Sequence, residues 1–250
     1  MHNIQVIILA AGKGKRMESD LPKALTVLKG KPFIDYVFES LKSVSLSHEP
    51  VVVVGHKHED LRAHLGENKK YAHQKEQLGT GHAVALAESY IAKDVEAVLI
   101  LYADHPLLKG ETIKTLIETH LRKNPIITMG TAHVEDFEGW REGFQNYSRV
   151  LRDATGKIIR TVEFKDASEE ERKITEVNPC YFIFNKDWLF ENIKTLSKNN
   201  VQGEYYLTDL VQMAFKTGAS IETVSIVPVE ALGANSKEQL AVLGDLLDTQ

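Results

Sequence analysis

The chain has 250 residues with 30 basic and 35 acidic side chains, a formal net charge of −5. That balance argues against broad, sequence-independent binding to nucleic acid or to an anionic membrane surface, which needs a net basic face. With 43% hydrophobic and 26% charged residues, the composition is that of a globular protein with a full core, in one large domain or two intimate ones. One cysteine, Cys180, leaves no internal disulfide framework and no cysteine-rich zinc site. No stretch approaches the ~20 apolar residues of a membrane span. The apolar start at residues 4–11 is too short for a signal peptide, and basic residues follow it rather than precede it. A cytoplasmic protein with no membrane partner is the expectation. The charge is uneven: residues 1–31 carry six Lys/Arg against Glu18 and Asp20, so a small basic island opens an otherwise acidic chain. Such an island suits a polyanionic small ligand better than a long polymer.

Residues 4–9 form a continuous apolar run rich in β-branched side chains, the pattern of a strand buried on both faces. Pro32 suits a first helical position, and Phe33, Val37 and Leu41 give the helix its apolar face. Residues 51–54 predict a second buried strand. Thr80 is placed to cap a helix carrying Val84, Ala87 and Ile91. Residues 97–101 predict a third strand, Ile113 to Leu121 a helix, and residues 126–129 a closing strand. This alternation implies a mostly parallel, Rossmann-like twisted sheet with helices on both faces, an α/β fold.

After about residue 140 the texture changes. Residues 150–152 and 158–162 flank a turn signal at Asp153 and Gly156 and predict an antiparallel hairpin. Residues 177–184 read as one more strand. Leu207 to Phe215 read as a helix ended by Gly218, residues 221–227 as a late strand, and Ser236 with Gln239 as a capping box opening the last helix. A single domain is expected, divided into a core at 1–140, a smaller antiparallel substrate-facing lobe with a return to the core at 141–230, and a C-terminal helix at 231–250.

The first strand delivers the chain into Leu9, Ala10, Ala11, Gly12 and Gly14, followed by Arg16, Met17 and Lys23. Ligands of open parallel sheets bind beyond the carboxyl ends of the strands. A loop of small residues there lets main-chain N–H groups approach a phosphate or a base closely, and Arg16 and Lys23 add charge suited to phosphate oxygens. Met17 stands where a dinucleotide fingerprint needs glycine, and no Gly-Lys-Ser/Thr follows at Walker spacing. Asp104 falls just past the third strand, where a hard carboxylate suits Mg²⁺.

Together these stretches resemble the sugar-phosphate nucleotidyltransferases. The carriers are Gly12-x-Gly14-x-Arg16-Met17 with Leu21-Pro22-Lys23, then Gln74, Gly79 and Thr80, then Tyr102-Ala103-Asp104. Glu163 with Lys165, the stretch 202–209, and Gly233 with Asn235 follow in order. More narrowly, the chain resembles the uridylyltransferase half of the bifunctional N-acetylglucosamine-1-phosphate uridylyltransferase/glucosamine-1-phosphate acetyltransferase, with no counterpart expected for the acetyltransferase half. The resemblance implies a nucleotide-diphospho-sugar transferase fold whose antiparallel lobe binds the sugar. It also implies Mg²⁺-dependent transfer from UTP to N-acetylglucosamine 1-phosphate. Leu9, Ala10, Ala11 and Gly12 would hold uridine through the backbone, with Gln74, Gly79 and Thr80 completing the uracil pocket. Tyr102, Ala103 and Ser148 would also bind substrate, and Glu163 and Asn178 would meet the sugar hydroxyls and the N-acetyl group. Asp104 and Asn235 would bind the metal, Arg16 the leaving phosphates, and Lys23 the phosphates near the reacting centre.

The chain departs from the family pattern at Ala103, Ser148, Pro179 and Cys180. The last three lie on the sugar side, where Ser148 is expected to narrow the pocket and Pro179 to remove a backbone donor. Two alternatives therefore stay open: the same chemistry on a different sugar 1-phosphate, or a non-catalytic regulatory subunit that binds nucleotide sugars. The sequence carries no signal for oligomeric state.

Overall fold

Strand β1 (Ile4–Ala10) is buried along its whole length and divides the molecule. Ile4, Val6 and Ile8 face one core while Ile7 and Leu9 face the other, as the two-residue period of a strand requires. A strand apolar on both faces needs a layer on each side. Gln5, its one polar residue, is fully buried and satisfied at both ends: Nε2 donates to the Glu49 carbonyl and Oε1 accepts from the Ala92 N–H, each at 2.9 Å.

The computed structural model describes residues 3–12, 14 and 21–249. After β1 come β2 (Val27–Leu28) and β3 (Lys31–Pro32), which pair as a small ribbon, then α1 (Phe33–Lys42), β4 (Val51–Val54), α2 (His58–Leu65) and β5 (Lys70–His73). Next follow α3 (Thr80–Leu86), β6 (Ala97–Tyr102), α4 (Gly110–Lys123) and β7 (Ile127–His133). The second half adds β8 (Ser148–Arg152), β9 (Ile158–Val162), α5 (Glu169–Arg172), β10 (Glu176–Asn178), β11 (Phe182–Asn185) and α6 (Lys186–Asn192). It ends with α7 (Asp209–Lys216), β12 (Ile221–Ser225) and α8 (Lys237–Asp248).

The main sheet runs β5-β4-β1-β6-β11-β7-β10-β8-β9, with β12 alongside β7. β5, β4, β1 and β6 are mutually parallel. β11 inserts antiparallel between β6 and β7, so β7 points the same way as β6, and β12 lies parallel to β7. This is the mixed, mostly parallel sheet the alternation predicts. β8, β9 and β10 extend it as an antiparallel lobe. The expected hairpin forms around Asp153, whose Oδ1 accepts from the N–H groups of Thr155 and Lys157 at 2.8 and 3.0 Å.

Several local expectations shift, among them the helix after Thr80, which stops at Leu86 short of Ile91, and the late strand, which ends at Ser225. The strand expected over 177–184 is cut in two, because Pro179 cannot donate to a ladder and Cys180 takes a left-handed φ of 63°. Pro32 is the residue before α1 rather than its first helical residue, and its ψ of 147° keeps it extended. Thr80 opens α3 behind Gly79 instead of capping it, and its Oγ1 accepts from the Leu207 N–H at 3.1 Å. Ser236 does cap α8, but Gln239 reaches back to the N–H of Asn235 at 2.7 Å, one residue earlier than a capping box would.

Candidate active site

The carboxyl ends of β1 and β6 open onto a cavity of about 280 Å³. Leu9, Ala10, Ala11 and Gly12 line one side of it, Gln74, Gly79 and Thr80 another, and Tyr102, Ala103 and Asp104 the floor. Ala103 is held there by extension of the β1–β6 ladder, its N–H donating to the Leu9 carbonyl at 3.0 Å. Gln74 is buried, and its Nε2 donates to the Gly79 carbonyl and to Nδ1 of His82, both at 3.1 Å. With both amide hydrogens engaged, Oε1 is the Gln74 atom left for a ligand, an acceptor. Gly79 adopts a φ of 109°, and a Cβ there would lie 2.5 Å from the Tyr205 carbonyl oxygen and 2.7 Å from its nitrogen. The stretch 202–209 is thus docked on residues 78–81, where Tyr205 N–H donates to Leu78 and Gly81 N–H donates to Tyr205, each at 2.8 Å.

A second cavity, of about 220 Å³, continues from the first into the antiparallel lobe. Ser148, Glu163 and Asn178 all line it, brought together because β8 pairs with both β9 and β10. Ser148 Oγ and Thr208 Oγ1 each donate to Glu163 Oε1 at 2.8 Å. Burial raises the Glu163 carboxyl above its ordinary value, and these two donors offset only part of that. Asn178 Oδ1 accepts from the Cys180 N–H at 2.7 Å, while its Nδ2 is buried with no partner among the described residues. An unsatisfied buried donor in a cavity wall is a place for a ligand acceptor.

The two cavities share Thr80, Tyr102, Asp104 and Glu204. At this junction Lys23 Nζ donates to Asp104 Oδ2 and, at 2.6 Å, to Asn235 Oδ1. Lys23 opens a short 3₁₀ turn (Lys23–Leu25) behind Pro22. Asn235 precedes α8 and is fixed by the Gln239 side chain. Burial works to raise the Asp104 carboxyl, but Lys23 and His105 outweigh it and hold the carboxyl below its usual range. The donor set suits a hard divalent cation: a carboxylate and an amide oxygen from distant parts of the chain converge on one positive centre. Arg16, the other expected phosphate ligand, lies outside the described residues.

Several residues in the cavity wall or packed behind it carry no individual signal in the sequence. His105 stacks between Tyr102 and Tyr147, with ring centroids 5.7 and 6.0 Å away. Its Nδ1 bonds the Tyr181 hydroxyl at 2.8 Å, and that hydroxyl donates to the Glu230 carbonyl at 2.9 Å. Arg149 is fully buried with carbonyls as partners: Nη2 donates to Gln145 at 2.8 Å, Nε to Arg172 at 3.2 Å, and Nη1 to Phe144 and Tyr147. Burial lowers its guanidinium to about 10, and the side chain straps down the segment that ends at Ser148. Gln202, Glu204 and Tyr206 also reach the second cavity. They fall in the stretch 202–209 that the resemblance singles out, which is the one signal that points to them.

This arrangement, with ligand cavities at the ends of parallel strands and an antiparallel lobe beyond them, is a nucleotide-diphospho-sugar transferase fold. It superposes on a UDP-glucose pyrophosphorylase solved with UDP-glucose at a TM-score of 0.75 and 18% identity, covering 100% of both chains. Residues 6–207 match the MobA-like NTP transferase domain, and the chain belongs to that family of nucleotidyltransferases. It is 40% identical over 248 residues to the bifunctional protein GlmU of Enterococcus faecalis, covering 99% of this chain and 52% of that one. The GlmU of Thermoanaerobacter pseudethanolicus is 40% identical over 240 residues, covering 96% and 50%. The chain thus spans about half the length of the curated relatives it matches. Among the described residues no helix is long and apolar enough to cross a membrane.

Proposed function

We propose that the protein transfers uridylyl from UTP to N-acetylglucosamine 1-phosphate, giving UDP-N-acetylglucosamine and pyrophosphate with Mg²⁺ as cofactor. The observation that carries this reading is the shared wall: two cavities of different chemistry meet at Asp104, whose carboxylate is paired with Lys23. A transferase needs two substrates end to end with charge at their junction.

The first cavity suits uridine. Gln74 Oε1 accepts from the N3–H of uracil, which cytosine lacks, and a wrong base leaves a buried acceptor unpaired. The second cavity suits an N-acylated sugar. Asn178 Nδ2 supplies a donor for an acyl carbonyl, and Glu163, with Oε1 engaged, keeps Oε2 for a hydroxyl or amide N–H.

The sugar-phosphate oxygen attacks the α-phosphorus in line, and the bond from that phosphorus to the bridging oxygen breaks as pyrophosphate leaves. The attacking oxygen is already anionic, so no general base and no covalent enzyme intermediate is required. When bound, Mg²⁺ supplies charge neutralisation on the phosphates. Lys23 carries a fixed positive charge to the reacting centre, Asp104 and Asn235 hold the cation, and Arg16 is assigned to the leaving phosphates.

The test is pyrophosphate release by the purified protein with Mg²⁺, crossing UTP, CTP, dTTP, GTP and ATP against several sugar 1-phosphates. Selective turnover of UTP with N-acetylglucosamine 1-phosphate is expected. Turnover of UTP with another sugar keeps the chemistry and overturns the sugar assignment. Folded protein that binds UTP and turns over no pair overturns catalysis in favour of a binding subunit.

A further inference from the structure

Among the described residues Lys23 Nζ has two hydrogen-bond partners, and they are the two residues assigned to the metal. The ammonium and a divalent cation would compete for the same pair of oxygens. The Lys23 stem gives this geometry a second position. An added Cβ on Gly14 would lie 3.2 Å from Lys23 Cβ, and one on Gly12 would lie 3.9 Å from Lys23 Cδ. The side chain therefore passes alongside Gly14 and Gly12 of the glycine loop before reaching Asp104. A lysine stem of four carbons can swing its ammonium from the carboxylate toward anions seated on that loop.

The charges set the order of events. With Lys23 in place, the Asp104 carboxylate is neutralised. Adding a divalent cation without an anion would leave two net positive charges in a partly buried site, where Coulomb interactions are poorly screened. A bound triphosphate reverses the sign of that sum and offers Lys23 another partner.

We propose that in the nucleotide-free protein the Lys23 ammonium occupies the cation position between Asp104 and Asn235, so that a divalent cation enters as an incoming polyphosphate draws Lys23 away. This rests on the reading that a triphosphate and a divalent cation meet at this junction. It adds that the lysine holds the site closed to free metal until nucleotide arrives.

The test uses Mn²⁺ as probe and the full chain without nucleotide, with the free-ion electron paramagnetic resonance signal as the readout. The wild-type protein and Lys23→Arg, which keeps the charge, are expected to leave the signal nearly unchanged into the millimolar range of metal. Lys23→Met is expected to bind Mn²⁺ at a single site, tighter by on the order of tenfold or more. Adding Asp104→Asn to Lys23→Met should abolish that gain. Equal Mn²⁺ affinity in wild type and a folded Lys23→Met protein overturns the proposal. Tight Mn²⁺ binding by nucleotide-free wild type that Asp104→Asn removes also overturns it, and this arm needs no lysine variant to fold. The outcome separates cleanly from the uridylyl reading. Lysine–metal exchange without turnover of UTP keeps the exchange and sinks the substrate, whereas turnover of UTP without exchange does the reverse.

Discussion

The two cavities are built by opposite means. The first is walled largely by main chain and small side chains (Leu9 to Gly12, Gly79, Ala103) at the ends of parallel strands. The second is walled by polar side chains that hold one another: Ser148 and Thr208 on Glu163, the Cys180 N–H on Asn178, and Arg149 strapping the loop behind them. On the first side the shape is set mainly by where the backbone runs, with the Gln74 side chain, held by Gly79 and His82, as the one polar group proposed to read the base. On the second side, each ligand contact depends on a neighbour's hydrogen bond, so one substitution can retune it. The chain's departures from the family pattern at Ser148, Pro179 and Cys180 fall on this second, retunable side.

Asp104 belongs to both cavities, and its loss should give the largest effect. Asp104→Ala should lower kcat by on the order of 10³-fold or more while leaving thermal stability near that of the parent. Steady-state kinetics with a melting curve checks this. A variant that keeps kcat and loses only affinity for one substrate would mean that the cavities do not share a reacting centre.

Beneath both cavities lies a common scaffold, and pH separates it from the site. His120 on α4 is buried, with Nδ1 3.0 Å from Thr128 Oγ1 on β7. Burial lowers its imidazole to about 4. The unfolded chain, near the ordinary 6.5, binds a proton that the folded protein refuses between those values. The stabilisation is therefore present above about pH 6.5 and is lost as pH falls toward 4, by about 3 kcal/mol. Denaturant unfolding at pH 7 and pH 4.5 should show it, and the paired change His120→Leu with Thr128→Val should flatten it. Both substrate affinities should fade together in this window. Selective loss of one would place the titration in a cavity instead.

The backbone-built side can be probed through Gly79. Gly79→Ala meets both a φ of 109° and the Tyr205 backbone at 2.5 Å, a cost of about 2 kcal/mol or more. Gly66, at φ 88° with open space around it, is the control that carries conformational strain alone. Gly79→Ala should weaken UTP binding with little change in the KM for sugar phosphate, as titration calorimetry and kinetics would show. Equal damage to both substrates would contradict the division of labour.

What could be read from the sequence follows the same division. The parallel half was legible because strands buried on both faces are nearly continuous apolar runs, and because the small residues Gly12 and Gly14 follow the first of them where a sheet of this kind places its ligand. The expected residues of the first cavity do come together, apart from Arg16, which is not among the described residues. The second cavity was legible only where the resemblance pointed, at Ser148, Glu163 and Asn178. His105 gave no signal because its partner Tyr181 is 76 positions away. Arg149 gave none because a buried arginine satisfied by carbonyls has no acidic partner to betray it. The break at Pro179 and Cys180 was missed because Val177 before it and residues 181–184 after it are strand-forming apolar residues, so the run reads as one strand until the left-handed φ of Cys180 divides it.

The smallest effect is the one that best tests how the second cavity works, because two mechanisms predict opposite signs. If a serine in this position acts by bulk, narrowing the space for the sugar, then Ser148→Ala should relieve it and lower the KM for sugar phosphate. The structure gives Ser148 a different role, since it is buried and its hydroxyl points at Glu163 Oε1 alongside that of Thr208. Removing one of two donors leaves a buried carboxylate less well held, at a cost of about 1 kcal/mol. Ser148→Ala should therefore raise the KM for sugar phosphate about fivefold, leave the KM for UTP unchanged and alter kcat little. Thr208→Val, which removes the other donor to the same oxygen, should act in the same direction. The combined variant should lose more than the sum of the two, because only then does Glu163 Oε1 stand without a donor.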